Sequence, residues 1–524
     1  MFFTQTLHRQ LTQRPDALAT IDGTSRHTWR EFVDRVSRIA AGLQAHGVAR
    51  GDRVGILSLN SSRVIEHAFA CPWAGAVVCP VNFRWSIEEM RIQINEAEIS
   101  VLFVGADHTE AAQELTRLCP GLRLLVHLDP AQRDGAADDA SPTSVPGVTV
   151  EHIEDWVTGF DPVPDVELPG DELAVLMYTG GTTGKPKGVM LSARNILTSG
   201  IGVHVGVGID NSPQRHLTVS PLFHLAALTN IYSQSLLGST LVQAPGFEVA
   251  EFAALIEEHR ITSINVVPTM IARLLDHLEA HDCDLSSLYV IGYGAEAIAG
   301  YLLERLRDLL PQVHICQRYG MTETGPSSTI LTPADHRGDP RFLESVGRAC
   351  VHAEVRVVDP LDQDVPIGEV GEVIVRGDHV MLGYWKQPEA TDRALRGGWM
   401  HTGDAGRLDE NGYLFLADRI KDMIISGGEN VYSAEVEKVL IRHPGVSRVA
   451  VIGVPDVDWG ERVHAVVVPA GNDCVDLESL REFAAAHIAR YKLPKSLQLI
   501  DALPLSAAGK VLKRELRETA AVGA

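Results

Sequence analysis

The sequence predicts an α/β protein with a large N-terminal domain of several subdomains, built from layered α/β sheets, and a small α+β C-terminal domain. Three observations support this prediction. The chain has 524 residues, which exceeds the size at which one hydrophobic core keeps growing. Helix and strand patterns alternate near the N-terminus, and the pattern changes near residue 420. We therefore expect at least two domains.

The early part of the chain contains a helix pattern followed by a strand pattern. Between Trp29 and Leu43 the apolar residues Phe32, Val36 and Ile39 recur at helical spacing. The short apolar run Val54–Leu57 then predicts a strand. This alternation is typical of layered α/β domains.

A compact segment of about 100 residues begins near residue 420, and a domain of this size can have its own core. Its pattern predicts a strand at Met423–Ile425, a helix at Ala434–Ile441, strands at Val446–Val454 and Val463–Val468, and a helix at Leu477–Ala489. We expect a large domain at residues 1–420 and a small α+β domain at residues 421–524.

The composition excludes several classes of partner. Lys and Arg number 46 against 68 Asp and Glu, and the formal net charge of −22 argues against binding to nucleic acid or to an anionic membrane. The seven cysteines contain no CxxC pair, which fits a reducing cytoplasm rather than a disulfide framework or a zinc site. Because no run of eighteen apolar residues occurs, we expect a cytoplasmic protein without a membrane span.

A glycine- and threonine-rich loop follows the apolar run Leu173–Met177, which predicts a buried strand. Glycines let backbone N–H groups approach phosphate oxygens, threonine hydroxyls can donate hydrogen bonds, and lysines supply positive charge. The predicted phosphate-binding residues are Thr179, Gly180, Gly181, Thr182, Thr183, Gly184 and Lys187.

Two other interpretations of this loop are a Walker A loop and a plain turn. Gly180 and Gly184 enclose three residues rather than four, and Pro186 stands where a magnesium-binding Ser or Thr is required, which argues against a Walker A loop. A turn between a strand and a helix is the simpler alternative, since glycine and proline clusters often mark only that.

Further motifs follow this loop in a fixed order. They are QRYGMTETGP (317–326), GEVIVRG (371–377), GYWKQPEAT (383–391), WMHTGD (399–404), DRIKDMIISGGENVYSAEVE (418–437) and PLSAAGKVLKREL (504–516). Together with the loop they resemble the core motifs of the adenylate-forming superfamily, which contains acyl-CoA synthetases, adenylation domains of peptide synthetases, and luciferase. The resemblance runs from about Thr28 to Arg517. One departure is Gly180, where the family usually has Ser.

The resemblance implies roles for residues that would bind the nucleotide. Glu323 corresponds to the magnesium carboxylate, and a hard oxygen donor suits this cation. Thr322 would contact the α-phosphate, while Tyr319 would stack on adenine with Gly320 beside it. Further nucleotide and acyl contacts are implied for Gly294, Ala295 and Glu296, which correspond to the family's GGAP-like turn. The implied ribose ligands are Asp404 and Arg419.

The resemblance also implies roles in the chemistry and in domain motion. Lys510 corresponds to the catalytic lysine that bridges the acyl carboxylate and the α-phosphate, a point-charge role that suits lysine. His224 would lie beside the carboxylate of the acid. Gly427 and Gly428 would let pantetheine pass close to the backbone, and Lys421 corresponds to the hinge of a mobile C-terminal domain. Lys513 and Arg514 are expected to form a solvated basic face.

These assignments predict an ATP-dependent acid–CoA ligase that uses ATP, Mg²⁺ and coenzyme A. A carboxylic acid, which could be fatty, aromatic or polycyclic, would be activated as acyl-AMP with release of pyrophosphate and then transferred to CoA as a thioester. The alternatives are a stand-alone adenylating enzyme that loads the phosphopantetheine of a carrier protein, and a non-catalytic nucleotide-binding relative. The sequence also leaves open a possible homodimer.

Overall fold

The structure, a computed structural model, describes residues 1–129, 147–179, 186–208, 212–296, 298–426, 429–456, 459–471, 475–505 and 511–522. Its helices are α1 (Gln5–Gln13), α2 (Trp29–Ala45), α3 (Ser62–Ala74), α4 (Ile87–Glu96), α5 (Thr109–Leu118), α6 (Ile153–Gly159), α7 (Ala193–Val207), α8 (Leu225–Leu237), α9 (Val249–Glu258), α10 (Pro268–Ala280), α11 (Gly300–Leu309), α12 (Pro333–Arg337), α13 (Pro388–Ala394), α14 (Ser433–Leu440), α15 (Leu477–Ala485) and α16 (Lys513–Val522).

The strands form four sheets. They are β1 (Leu18–Asp22), β2 (Ser25–Thr28), β3 (Arg53–Leu57), β4 (Val77–Pro80), β5 (Val101–Val104), β6 (Leu124–His127), β7 (Thr149–His152), β8 (Leu173–Thr179), β9 (Lys187–Ser192), β10 (Arg215–Thr218), β11 (Thr240–Gln243), β12 (Ser263–Val266), β13 (Val290–Gly294), β14 (His314–Tyr319), β15 (Thr329–Leu331), β16 (Arg348–Ala349), β17 (Glu354–Val358), β18 (Gly371–Arg376), β19 (Gly383–Tyr384), β20 (Met400–Leu408), β21 (Leu414–Arg419), β22 (Ile424–Ser426), β23 (Glu429–Val431), β24 (Val446–Asp456), β25 (Gly460–Pro469) and β26 (Ser496–Leu499).

The first of two compact units contains Met1–Val355 and Val375–Met400. One of its sheets has the order β16-β15-β14-β13-β12-β10-β11-β1-β2, in which β14, β13, β12, β10, β11 and β1 run parallel. Because parallel strands end at the same edge, the segments after β10, β13 and β14 lie at one edge of this sheet. This edge contains several of the predicted site residues.

The other large sheet of this unit has the order β19-β9-β8-β4-β3-β5-β6-β7. The predicted strand at 173–177 is present as β8, whose central five residues are buried. β8 pairs antiparallel with β9, and Thr179 lies opposite Lys187. The glycine-rich loop therefore connects two antiparallel strands, and the alternative of a turn between a strand and a helix is wrong. A Walker A loop also leads into a helix, so the pairing argues against it as well.

Buried apolar side chains of α2, α3 and α8 pack with strands of both sheets in the largest core cluster. The predicted helix at 29–43 is present and continues to Ala45. Its start is fixed by a capping box, in which Thr28 and Glu31 each bond the other's backbone N–H. The predicted α/β class is thus confirmed, and its helix and strand assignments near the N-terminus hold.

The second compact unit contains Arg356–Ile374 and His401–Ala524. Its sheets have the orders β17-β18-β20-β21 and β23-β22-β25-β24, with β26 paired to β25. The predicted C-terminal elements are present with shifted ends, because β24 and β25 extend into a long hairpin and α15 ends at Ala485. The sequence prediction lacked β23, β26 and α16.

Residues 401–420 belong to this second unit partly because Asp418 binds the start of α14. Its Oδ2 accepts hydrogen bonds from the Ser433 hydroxyl at 2.6 Å and from the Ala434 N–H at 3.1 Å. The predicted domain boundary at residue 420 is the position of a hinge. A hinge is a property of domain motion, so this boundary stays a prediction.

Within the described part of the chain, no helix is both long enough and apolar enough to cross a membrane.

Candidate active site

The ends of β13 and β14 bring two predicted nucleotide-binding segments together. Gly294 pairs with Arg318, directly before Tyr319 and Gly320. A side chain at Gly294 would place its Cβ 2.6 Å from the carbonyl oxygen of Arg318, so only glycine fits this close approach. Ala295 has a φ of 67°, and together with Glu296 it turns the chain away from the sheet edge. The structure therefore brings Gly294, Ala295 and Glu296 to the same edge as Tyr319 and Gly320.

Glu323 lies in a single 3₁₀ turn, Thr322–Thr324, that follows β14. Its side chain is only 7% exposed, and its Oε1 accepts a hydrogen bond of 2.9 Å from the Tyr384 hydroxyl. Burial, followed by the charge of Glu323, raises the pKa of Tyr384, so the phenol remains a donor at neutral pH. Tyr384 thus fixes the carboxylate that the sequence assigned to magnesium.

Tyr384 also connects this carboxylate to the strand that ends the phosphate loop. The Lys187 ammonium lies 5.0 Å from the centre of the Tyr384 ring. Lys187 is the first residue of β9, opposite Thr179 on β8. One tyrosine therefore contacts a positive charge through its ring and a carboxylate through its hydroxyl. The sequence analysis gave Tyr384 no role, although it lies in the GYWKQPEAT motif, and that motif was the signal that could have identified it.

His224 immediately precedes α8, at the end of the segment that follows β10. Its half-buried ring lies 4.5 Å from the ring of Phe223. Asn60 holds this segment, because its amide donates to the Ser220 carbonyl at 2.9 Å and its Oδ1 accepts from the Leu222 N–H at 3.1 Å. Asn60 is a positioning residue that the sequence analysis missed.

The second unit contains the predicted ribose ligands. Asp404 on β20 and Arg419 on β21 are register partners, and the Arg419 Nε lies 2.6 Å from Asp404 Oδ1. Asp404 is 7% exposed, whereas the Arg419 side chain is 42% exposed. The predicted pair is therefore in direct contact. An ionised carboxylate has about four lone-pair sites, so its chemistry allows it to accept from hydroxyl groups as well as from a guanidinium.

Several predicted residues lie outside the described residues. They are Gly180, Gly181, Thr182, Thr183 and Gly184 of the phosphate loop, Gly427 and Gly428 of the predicted pantetheine contact, and Lys510. Their roles stay predictions. Lys421 is described, and it lies in the 3₁₀ turn Ile420–Asp422 between β21 and β22.

Lys513 does not belong to a solvated basic face, so that expectation is wrong for this residue. Its side chain is 15% exposed, and its ammonium lies 2.7 Å from Glu437 Oε1 and 2.6 Å from the Ser433 hydroxyl. Burial raises the pKa of Glu437, and the charge of Lys513 opposes that shift. The sequence analysis missed the pair because Glu437 lies on α14, far away in sequence. Arg514 is exposed, as expected.

We expect Lys513→Met to destabilise the protein by about 2 kcal/mol, because it leaves the Glu437 carboxylate enclosed without its partner. Urea-induced unfolding measures this change. The neighbouring Arg514→Met should stay within about 0.5 kcal/mol of the wild type. Adding Glu437→Gln to Lys513→Met should recover part of the lost stability. If Lys513→Met and Arg514→Met were equally stable, the Lys513–Glu437 pair would not stabilise the protein.

The fold of the chain matches solved structures of adenylate-forming enzymes. The chain belongs to the AMP-binding enzyme family: residues 7–385 match the AMP-binding enzyme family and residues 435–510 match the AMP-binding enzyme C-terminal domain. The family resemblance read from the sequence is confirmed.

Relatives cover nearly the whole chain. Feruloyl-CoA synthase from Amycolatopsis sp is 38% identical over 97% of this chain and 97% of that enzyme. The fatty acid–acyl-carrier-protein ligase ScoC from Streptomyces coeruleorubidus is 34% identical over 94% of this chain and 91% of its own. The solved o-succinylbenzoate CoA synthetase MenE from Bacillus subtilis, in complex with the acyl-adenylate intermediate OSB-AMP, superimposes with a TM-score of 0.83 at 29% identity, covering 98% and 97%. Another structure of MenE is in complex with ATP and a magnesium ion.

Proposed function

We propose that this protein is an AMP-forming acid–CoA ligase, which converts a carboxylic acid, ATP and CoA into an acyl-CoA thioester, AMP and pyrophosphate. The observation that carries the proposal is the buried Glu323 carboxylate, held by Tyr384 beside Lys187 at the end of the phosphate loop. The ligase class predicted from the sequence is confirmed at the level of the homologues, which are named CoA ligases.

In the first half-reaction an oxygen of the acid bonds to the α-phosphorus of ATP, and the bond to pyrophosphate breaks. Both reactants are anionic, so cations and N–H groups must offset the charge that builds at the phosphate. Lys187 and the predicted Lys510 supply positive charge, and Thr322 donates to the α-phosphate. Tyr319 stacks on adenine, and Asp404 with Arg419 binds the ribose hydroxyls.

Glu323 would hold the magnesium ion, which neutralises phosphate charge when bound. Among the described residues no group of three or more His, Cys, Asp or Glu side chains is arranged to hold a metal. A single buried carboxylate fits Mg²⁺, because this ion takes few protein ligands and completes its shell with phosphate oxygens and water. The residues present therefore fit a magnesium ion that arrives with ATP.

In the second half-reaction the sulfur of CoA bonds to the acyl carbon, AMP leaves, and the thiol proton is released. His224 would contact the carboxyl group of the acid, and the predicted Gly427 and Gly428 would let the pantetheine pass. The second candidate function is loading of a carrier protein, which the similarity to ScoC favours.

Two assays test the proposal. Purified enzyme with ATP, Mg²⁺ and a panel of fatty, aromatic and polycyclic acids should form hydroxamates in the presence of hydroxylamine, which traps acyl-AMP. Adding CoA instead of hydroxylamine should give acyl-CoA, whereas a phosphopantetheinylated carrier protein should remain unloaded. Loading of the carrier protein without acyl-CoA formation would favour the second candidate function, and absence of any hydroxamate would contradict both.

We expect Glu323→Gln to lower adenylation about 10-fold at low magnesium, because the amide keeps the shape of the side chain but not its charge. Raised magnesium should restore part of the rate. Glu354→Gln removes an exposed carboxylate of the same unit, and its magnesium dependence should match the wild type. A wild-type magnesium dependence in Glu323→Gln would contradict the metal assignment.

The cytoplasmic location and the possible homodimer stay predictions. Light scattering on the purified protein would measure the oligomeric state.

A further inference from the structure

Arg318 on β14 is a half-buried arginine, and within the described part of the chain no carboxylate pairs with it. Its neighbours in the strand, Gln317 and Tyr319, point to the other face of the sheet, where Gln317 accepts a hydrogen bond from Tyr293. Arg318 instead faces α8, and its Nη1 donates to Asn230 Oδ1 at 3.1 Å. Among the described residues this is its one hydrogen bond, and it has no ion pair there.

The guanidinium of Arg318 reaches across the neighbouring strand over Gly292. A Cβ at Gly292 would lie 2.7 Å from Arg318 Nη2 and against Asn265 Oδ1, so a larger residue there would displace both groups. Asn265 is the register partner of Gly292 on β12. A donor and an acceptor thus converge over a glycine that leaves them room.

The described residues that surround Arg318 supply no compensating carboxylate. Burial, assisted by Arg318, lowers the pKa of His204 to about 4 and that of His216 to about 3, so both rings are neutral at pH 7. Burial also lowers the pKa of Arg318 itself. The site therefore contains one positive charge, and its burial is costly without an acceptor.

Arg35 shows how the same chain treats an enclosed arginine that has only a structural role. Its guanidinium lies 2.6 Å from Glu66 and 2.7 Å from Glu154, and Arg63 contacts the same two carboxylates, so each positive charge there is balanced by a negative one. Arg318 has a single neutral amide instead. A guanidinium has five N–H donors, so most of those of Arg318 are available to a ligand.

Small residues on α8 lead from His224 towards Arg318. Ala226 and Ala227 precede Asn230 by four and three residues, so the three side chains share one face of the helix. Asn230 follows His224 by six residues, which places it about 9 Å further along the helix axis at 1.5 Å per residue. An acid with its carboxyl group at His224 would extend by a distance of this order along the helix to reach Asn230, which contacts Arg318.

We propose that Arg318, together with Asn230, forms a specificity subsite that binds an oxygen acceptor at the far end of the acid, about 9 Å from the carboxyl group that is activated. The acceptor is either a second carboxylate or the oxygen of a hydroxylated aromatic ring, and both accept hydrogen bonds from a guanidinium. This inference rests on the proposed function, since it names the class of acid that the ligase activates.

The test compares paired acids in the hydroxamate assay without CoA. One pair is octanedioic and octanoic acid, and the other is 4-hydroxycinnamic and cinnamic acid. We expect kcat/KM for the acceptor-bearing acid to exceed that of its partner by about 10- to 100-fold in at least one pair, the usual effect of a hydrogen bond to a charged group. The pair that shows the preference identifies the acceptor.

Two variants test whether Arg318 causes this preference. Arg318→Met should bring the ratio of kcat/KM within the pair towards one. Asn230→Asp keeps the size of the side chain but supplies an internal carboxylate beside the guanidinium, so it should lower the ratio as well. Arg260→Met, which removes an exposed arginine paired with Asp284, should leave the ratio unchanged.

Two results would overturn the subsite while the proposed function stands. In one, the wild type forms hydroxamate equally well from both members of each pair. In the other, Arg318→Met lowers kcat/KM equally for both acids of a pair, which indicates a structural role for Arg318. Absence of hydroxamate from every acid would overturn the proposed function and this inference with it.

Discussion

Replacement of Lys510 by alanine is expected to reduce acyl-AMP formation by at least about 10²-fold, the usual effect of removing a focused electrostatic group. The reason is that the attacking carboxylate and the α-phosphate are both anions, and their approach needs a positive charge at the point of contact. Transfer of the acyl group from supplied acyl-AMP to CoA should persist, because no second anion approaches the phosphate in that step. Hydroxamate formation measures the first step, and acyl-CoA formation from acyl-AMP measures the second.

The neighbouring Arg514→Ala is the matched control for Lys510→Ala. Arg514 is a cation four residues further along the chain, its side chain is 56% exposed, and its one described ion pair is a long contact of 3.7 Å with Glu518. Both half-reactions should keep the wild-type rate in this variant. Equal loss of both half-reactions in Lys510→Ala would indicate a general defect rather than a role in adenylation.

Much of the fold could be predicted from local patterns. The helix α2 and the buried strand β8 were predicted because their apolar patterns do not depend on distant partners. The strands β23 and β26 were missed because they are short and lie beside β22 and β25. Their strand character comes from this pairing, which a local pattern does not contain.

The phosphate loop shows a different limit. Its glycines and threonines predicted the chemistry of its ligand, but they did not predict that the chain returns as an antiparallel strand, β9. That strand contributes Lys187, which lies near Tyr384 of the distant β19. This contact joins residues almost two hundred positions apart, so it depends on the tertiary structure. The order of the motifs indicates that both segments are functional, but it does not predict that they are in contact.

The role of a charged residue depends on the groups that it contacts in the folded chain. Asp404 and Arg419 were predicted to act together from their motifs, and adjacent strands bring them together. The sequence analysis placed Lys513 on a solvated face and gave Arg318 no role, because a lysine or arginine in a sequence is by default an exposed charge. The structure distinguishes them: Lys513 pairs with the carboxylate of Glu437, whereas the one described partner of Arg318 is the amide of Asn230.

The segment around the predicted hinge is held by residues on both sides of Lys421. Asp418 accepts hydrogen bonds from the start of α14, and Asp422 lies 2.8 Å from Arg517 on α16. Lys421 itself lies in a single 3₁₀ turn. A 3₁₀ turn has φ near the value that proline imposes, about −65°, so proline at 421 would oppose a large change of φ there.

The catalytic lysine assigned at Lys510 and the pantetheine contact assigned at Gly427 and Gly428 belong to different half-reactions but to the same predicted small domain, so we propose that this domain rotates about Lys421 between them. We expect Lys421→Pro to keep hydroxamate formation near the wild-type rate and to lower acyl-CoA formation from supplied acyl-AMP by at least about 10²-fold, since hinges absorb large backbone changes at a few residues and misplaced groups lose rates of this size. Lys421→Ala removes the same charge but leaves the backbone free, so it should retain both half-reactions. If Lys421→Pro turned over acid, ATP and CoA at the wild-type rate, rotation about this residue would not be part of the mechanism. If the alanine variant lost thioester formation equally, the charge of Lys421 rather than its backbone would be responsible.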